Sequence, residues 1–217
     1  MKKTKRSTVK RVPKRGLYDQ KSIYKLLDRN HLCHVGFIYE DFPVVIPTLY
    51  GRKENTIFLH GAVVSRLMTS LKKEIPLCIS IAKTTGIVLA RSAFNHSLNY
   101  ESVILYGNGR LVEGFEKEEA LKAISDHLII GRWEECRPPT TKELKATHVI
   151  SIDLDEVSAK VRTGGPQDDK EDYSSEYWAG VIPIKEGFGV PQPDQQLPDR
   201  LKKIPASVQN LTHKTNN

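Results

Sequence analysis

The chain has 217 residues, 39% of them hydrophobic and 27% charged, which is enough apolar material for one domain with a sizeable core. Its formal charge of +7 sits at one end: residues 1 to 15 hold eight Lys or Arg and no acid, whereas the rest of the chain holds 25 bases and 26 acids. The basic balance is therefore no signature of a nucleic-acid-binding fold, and residues 1–16 read as a basic, disordered arm able to touch polyanions. No apolar run approaches the ~20 residues needed to span a bilayer, and the basic start lacks the apolar stretch of a secretory signal. Cys33, Cys78 and Cys136 are odd in number and widely spaced, so a reducing, cytoplasmic setting is expected.

In chain order, Asp19 can cap a short helix with Ile23, Leu26 and Leu27 on one face and Asn30 at its end. The period then becomes that of strands, at 31–38, 43–50 and 56–60, with links short enough to make antiparallel neighbours. A helix over 63–73 follows, closed by Pro76, with Leu67 and Leu71 on one face. Residues 77–82 and 86–91 flank Lys83-Thr84-Thr85 as an expected hairpin, and a long strand over 100–113 is expected to bend at Gly107 and Gly109. An amphipathic helix over 117–130 ends before Gly131, and Thr140 with Glu143 forms the capping box of another. Strands near 148–154 and 158–163, a polar loop Gly164 to Ser175 and a last strand over 177–184 complete the domain of 17–184. Residues 185–217, rich in Pro, Gln and Lys, read as a tail with little fixed structure. The sum is an α+β, mainly β, antiparallel barrel or sandwich.

Phosphate-loop, dinucleotide-fold, esterase and metalloprotease signatures are absent from the sequence. His31, Cys33 and His34 have metal-ligand types, but strand alternation sends Cys33 and His34 to opposite faces, so no metal site is expected. Asn95 and Asn210 stand in glycosylation triplets without a secretion signal to give them meaning. The run Leu59 to Arg66 passes from a strand end through Gly61 into a helix start. Its backbone N–H groups, Ser65 and Arg66 suit a phosphate monoester, although a plain capped helix with an exposed Arg fits the pattern as well. Residues 89–103 crowd hydroxyl, amide, imidazole, guanidinium and aromatic groups between two strands. Trp178 reads as core, or as a ring flanking a flat ligand at a barrel rim.

These segments resemble the flavin-nucleotide-binding split-barrel proteins related to pyridoxamine 5′-phosphate oxidase, in the branch of the nitroimidazole-resistance-type proteins. The likeness covers about residues 17–184. It is carried by CHVGF at Cys33–Phe37, VIPTLYGR at Val45–Arg52, LHGAVVSRL at Leu59–Leu67, VLARSAFNHSLNYESV at Val88–Val103, GRWEECRPPT at Gly131–Thr140 and AKVRTGGP at Ala159–Pro166. The resemblance implies a six-stranded antiparallel split β-barrel with flanking helices, working as a homodimer with FMN at the subunit interface. It implies further that Pro47, Thr48, Leu49 and Tyr50 line the flavin ring through their backbone, that His60 and Gly61 border the ring and ribityl chain, and that Ser65 and Arg66 take the phosphate. Tyr100, Ser102 and Val103 would approach from the partner chain, with Arg91 and Trp178 as further neighbours. The family's second basic residue after the phosphate-binding Arg is replaced here by Leu67, and the loop with Asp168, Asp169, Glu171 and Asp172 disfavours a phosphorylated substrate such as a B6 vitamer. His60 and His96 are the candidate proton donors. The expected function is an FMN-dependent oxidoreductase for a small acceptor such as a nitroaromatic or quinone-like compound. A flavin carrier without turnover, and a haem-binding split barrel with His213 as axial ligand, are the alternatives.

Overall fold

The structure is a computed structural model that describes residue 1 and residues 3–213, the side chain of His213 excepted, so the proposed haem ligand His213 lies outside the described side chains. Among the described residues eleven strands form two antiparallel sheets, more than the six of the expected barrel because short pieces such as β1, β4, β8 and β11 are added to the longer strands. After β1 (Gly16–Leu17), helix α1 (Gln20–Leu27) starts where Asp19 accepts a 2.8 Å hydrogen bond from the Ser22 N–H. The hairpin β2 (Leu32–Tyr39) and β3 (Phe42–Leu49) turns through Glu40 and Asp41, both at positive φ. In β2, Cys33, Val35 and Phe37 point into the core while His34 and Ile38 point out, as the alternation requires.

At Tyr50 the chain leaves this sheet. Its ring is fully buried and its hydroxyl donates to the Leu27 carbonyl at 2.7 Å, so the turn is anchored from inside. Strands β4 (Gly51–Lys53) and β5 (Thr56–Ala62) belong to the second sheet, and the short helix α2 (Arg66–Leu71) follows. The expected hairpin at Lys83-Thr84-Thr85 does not form. Residues 76–89 are one 14-residue strand, β6, with a register shift between Thr84 and Gly86. β-branched threonines resist turn geometry and favour extended backbone, and β7 (Ser97–Asn108) pairs on both sides of the irregularity.

The expected bend after β7 falls at Gly109, where the chain crosses into β8 (Arg110–Val112) of the second sheet; a Cβ at Gly109 would stand 2.7 Å from Ile150 Cγ2 and 3.0 Å from the Leu71 carbonyl. Helix α3 (Gly114–Leu128) packs Ala120 and Ile124 on the second sheet so closely that a Cβ on Gly51 would come within 2.5 Å of Ile124 Cα. Helix α4 (Thr141–Ala146) carries the expected capping box of Thr140 and Glu143. Strands β9 (Thr147–Asp153), β10 (Glu156–Arg162) and β11 (Gly180–Pro183) complete the sheets, in the orders β1-β10-β7-β6-β2-β3 with β11 on β6, and β4-β5-β9-β8.

The main core lies between the sheets and joins Ile79, Ile81 and Leu105 to Ile57, Leu59, Ile150 and the helix residues Ile23, Leu27, Met68 and Leu71. A second cluster of Phe58, Val112, Ala120, Ile124 and Val149 seals α3 to the outer face of the second sheet. No helix among the described residues is long and apolar enough to cross a membrane.

Both expected tails differ from their compositional reading. The N-terminal arm lies against β7 and β10: Arg6 forms an ion pair with Glu156 at 2.5 Å, the Val9 N–H donates to the Tyr18 hydroxyl, and Ser7 is buried. Residues 185–213 are also held. The Ile184 N–H donates to the Thr85 carbonyl, Glu186 pairs with Lys83, and Phe188 meets the His31 ring edge-on. Helix α5 (Ala206–His213) docks where Ser207, buried, gives both its N–H and its hydroxyl to Glu135. Composition reports what a segment can bury by itself, and these segments are fixed by partners elsewhere in the chain.

Candidate functional site

A cavity of about 370 Å³ opens on the outer face of the second sheet, beneath α3 and α4. Strand alternation places it: Ile57 and Leu59 of β5 face the main core, whereas Phe58 and His60 face α3. Phe58 is covered by Ala120 and Ile124, but two residues on the cover ends and His60 borders open space. Leu49, Leu121, Leu128, Trp133 and Leu144 supply most of the apolar wall, and Ser125, Glu143 and Thr147 the polar remainder.

The His60 Nδ1 is sealed from solvent and has no hydrogen-bond partner, alone in this among the buried side-chain nitrogens and oxygens of the described residues. Burial pushes its imidazole pKa below the usual value, so the neutral ring prevails at pH 7. A neutral ring can carry a proton on one nitrogen and accept on the other, which suits it to a ligand's polar edge inside an apolar chamber.

Of the residues expected from sequence, Leu49 and His60 meet in this cavity. Gly61 adjoins at the turn, where an added Cβ would press on Met68 Cγ at 3.1 Å. The Ser65 hydroxyl caps α2 by accepting from the Met68 N–H at 3.3 Å, and the Arg66 guanidinium lies 5.2 Å from the centre of the Tyr39 ring without an ion pair among the described residues. Pro47 stands exposed on β3 opposite His34, while Thr48 and Leu49 are half-buried. β3 is an edge strand, so its outer backbone groups have no strand beside them.

Tyr50 and Val103 turn their side chains into the core, leaving only backbone for any ligand. Tyr100 and Ser102 lie on the other side of the sheet, on β7 opposite Arg162 and Lys160 of β10. Arg91 is clasped by the acidic loop: its backbone N–H and its Nη1 donate to Asp168 at 2.8 and 3.0 Å, and its guanidinium lies over Tyr173. Burial alone would raise the Asp168 carboxyl, yet Arg91 and the Ser92 N–H hold it below its usual range. Part of the negative charge expected to repel a phosphorylated substrate is thus neutralised internally. His96 accepts the Ala90 N–H through Nδ1 and fixes the loop before β7. Trp178 is 67% exposed and precedes β11, where a core position was one expectation. Its indole lies over Gly180, where a Cβ would meet the ring at 2.9 Å.

The sequence reading missed Leu121, Leu128, Trp133 and Leu144 as cavity residues. Trp133 stood within a quoted motif, but its place on the wall depends on how the connection from α3 to α4 folds back.

The family model described as pyridoxamine 5′-phosphate oxidase matches residues 19–161. No curated protein matches the sequence. Among solved structures, the chain is similar to a flavocytochrome from Azotobacter vinelandii, with 38% identity and a TM-score of 0.89 over 96% of this chain and 97% of that one. It is similar also to an FAD- and haem-binding protein from Mycobacterium smegmatis, with 30% identity and a TM-score of 0.88 over 91% of this chain and 97% of the other. A 5-nitroimidazole antibiotic resistance protein from Bacteroides thetaiotaomicron shares the fold at 22% identity and a TM-score of 0.57, over 67% of this chain and 86% of that one.

Proposed function

The chain belongs to the pyridoxamine 5′-phosphate oxidase family, and from that premise we propose that it is a flavin-dependent redox protein that works as a homodimer on a small electron acceptor. The observation that carries the reading is His60, whose imidazole burial keeps neutral, on the border of an apolar chamber walled by Leu49 and Trp133. A flavin has a flat, largely apolar ring with a polar rim, and this donor set fits it: aliphatic and aromatic walls for the faces, one neutral imidazole for an edge atom, and Arg66, without an ion pair among the described residues, for a phosphate. When bound, the flavin supplies hydride or single-electron transfer.

The chain's own work is to orient, to exclude water and to hold a proton. Leu49, Leu121 and Leu144 keep the chamber dry, which strengthens any hydrogen bond made inside it. His60, on a ring that burial keeps neutral, can give a hydrogen bond to a ligand without placing a charge in the chamber. The outer face of β2 and β3 carries Leu32, Ile38 and Val45 exposed, and a second copy is the occupant that would cover them.

A second reading adds haem. It was weighed from sequence as a substitute for flavin, whereas the flavocytochrome and the FAD- and haem-binding protein have both groups in their descriptions and match the chain almost end to end. The nitroimidazole resistance protein matches only 67% of the chain. An absorbance spectrum of the purified protein, before and after anaerobic NADPH, tests both readings. A flavin spectrum that bleaches and returns on adding a nitroaromatic or quinone supports an oxidoreductase, and a Soret band beside it adds haem. A colourless protein that refuses added flavin overturns the proposal. Arg66→Ala is expected to weaken flavin binding by about 1.5 to 3 kcal/mol, the range for a hydrogen bond to a charged group, and unchanged affinity would remove Arg66 from the site.

A further inference from the structure

Eight basic residues and no acid precede Gly16, and the fold holds the described ones as a fixed surface in place of a loose arm. Specific contacts fix them. Thr4 and Ser7 exchange hydrogen bonds between their backbone N–H groups and hydroxyls, the Val9 N–H donates to the Tyr18 hydroxyl at 2.8 Å, and Arg6 pairs with Glu156 of β10. Val12 then turns the chain at φ 53°, a left-handed conformation that a β-branched residue adopts only under constraint, with Lys10 and Arg11 before it and Lys14 and Arg15 after. Lys5, Lys10, Arg11 and Lys14 stand exposed and form no ion pair among the described residues. Burial first, and then the nearby Arg15 charge, push the Arg162 guanidinium below its usual pKa, so like charges already press on one another here. Strain and repulsion are both tolerated to keep these cations in place, which fits a surface that meets an anionic partner.

What else the surface offers distinguishes one anionic partner from another. A bilayer takes an apolar anchor together with positive charge, and no large apolar side chain among the described residues up to Tyr18 is exposed. Single-stranded nucleic acid takes aromatic faces for its bases, and here Lys3 lies over the Tyr18 ring at 4.7 Å and Arg6 over the Tyr106 ring at 5.5 Å from the ring centres. What remains is charge on a fixed polar surface, the chemistry by which acidic proteins dock in brief, weak encounters. The arm lies on the first sheet, whereas the His60 chamber opens on the outer face of the second, so a partner here leaves the chamber free.

We propose that the basic face formed by the N-terminal arm docks an acidic electron-carrier protein that reduces this protein. The proposal rests on the flavin reading above. Ser102, which borders the arm on β7, is among the residues expected to approach the flavin, so a carrier seated here stands on the flavin's side of the sheet. The carrier gives up one electron to the flavin in each encounter and is itself oxidised. Two encounters, with two protons from water, deliver the electron pair that the small acceptor takes up.

The test titrates flavodoxin, a small acidic one-electron carrier, calorimetrically into the full-length protein and into two variants with equal loss of charge. One carries Lys5→Gln, Lys10→Gln and Lys14→Gln on the arm; the other carries Lys142→Gln, Lys145→Gln and Lys185→Gln elsewhere, and all six positions are exposed. Expected is binding that weakens about tenfold or more in the arm variant, and likewise between ~20 and ~300 mM salt, with the second variant unchanged. The rate at which reduced flavodoxin bleaches the flavin should fall in the same order, while dithionite, a small reductant, bleaches all three proteins alike. Absence of binding at low salt overturns the proposal, as do equal losses in the two variants or binding that salt leaves unchanged. Tighter binding of an RNA oligonucleotide or of anionic phospholipid vesicles, lost in the arm variant, assigns the surface to that partner and overturns it too. A wild type that carries no flavin and takes up none overturns the flavin reading instead, and the calorimetric comparison then judges the docking surface by itself.

Discussion

The two faces of β5 are separated by one strand thickness and do opposite things. On one, Ile57 and Leu59 are fully buried in the apolar core that both sheets share. On the other, Phe58 is covered by α3, but two residues later His60 borders a chamber and keeps a nitrogen without a partner. Stability is concentrated on the first face. The second accepts an unsatisfied polar group, a cost of about 1–3 kcal/mol, on a residue that borders the chamber.

The sharpest way to break this comparison is Leu59→Ala. It is expected to cost about 2–5 kcal/mol in denaturant unfolding, because the cavity it leaves is enclosed by Ile150 and other packed side chains. A loss below 1 kcal/mol would show that the core face is no tighter than the cavity face. His60→Leu should do the reverse, raising the stability of the flavin-free chain by about 1 kcal/mol through removal of the orphaned nitrogen while lowering flavin retention. Destabilisation together with normal flavin content would make His60 structural.

Acid sharpens the same contrast. His31, His60 and His127 all have pKa values pushed down, chiefly by burial, so the unfolded chain binds protons that the folded chain refuses. Stability is then fully present above the unfolded histidine value of about 6.5 and falls as pH drops below it toward the folded values. Melting temperature measured from pH 7.5 to 5 should fall, and fall less in His60→Leu; a flat profile would remove burial of neutral histidines as the cause. The smallest expected effect is Ser65→Ala, about 1 kcal/mol from the lost cap of α2, read by the same denaturation.

How much of this was legible in the sequence depended on how local the cause is. Asp19 and the Thr140–Glu143 box announced their helices because the partners lie three residues away, and the β2–β3 hairpin was readable from alternation and a short link. The break expected at Lys83-Thr84-Thr85 failed because its polar residues look like a turn, while the continuity of β6 comes from β7, beyond any local window. Both tails failed for the same reason: Arg6 needs Glu156, and Ser207 needs Glu135, far along the chain. At the site, Leu49 and His60 were within reach through their motifs. Trp133 was not, since its role exists only once the connection after α3 closes over β5.

Gly51 determines how the chamber is entered. Helix α3 lies so near this glycine that not even a methyl group fits between them, so Ile124 packs directly on the sheet and any lift of the helix midpoint unpacks the second core cluster. The softer side of the wall is the one where residues 131–139, between α3 and α4, contribute Trp133 and Pro139. The size of an admissible guest is then a property of that connection, and exchange with solvent follows the timescale of a loop, ahead of any breathing of the barrel.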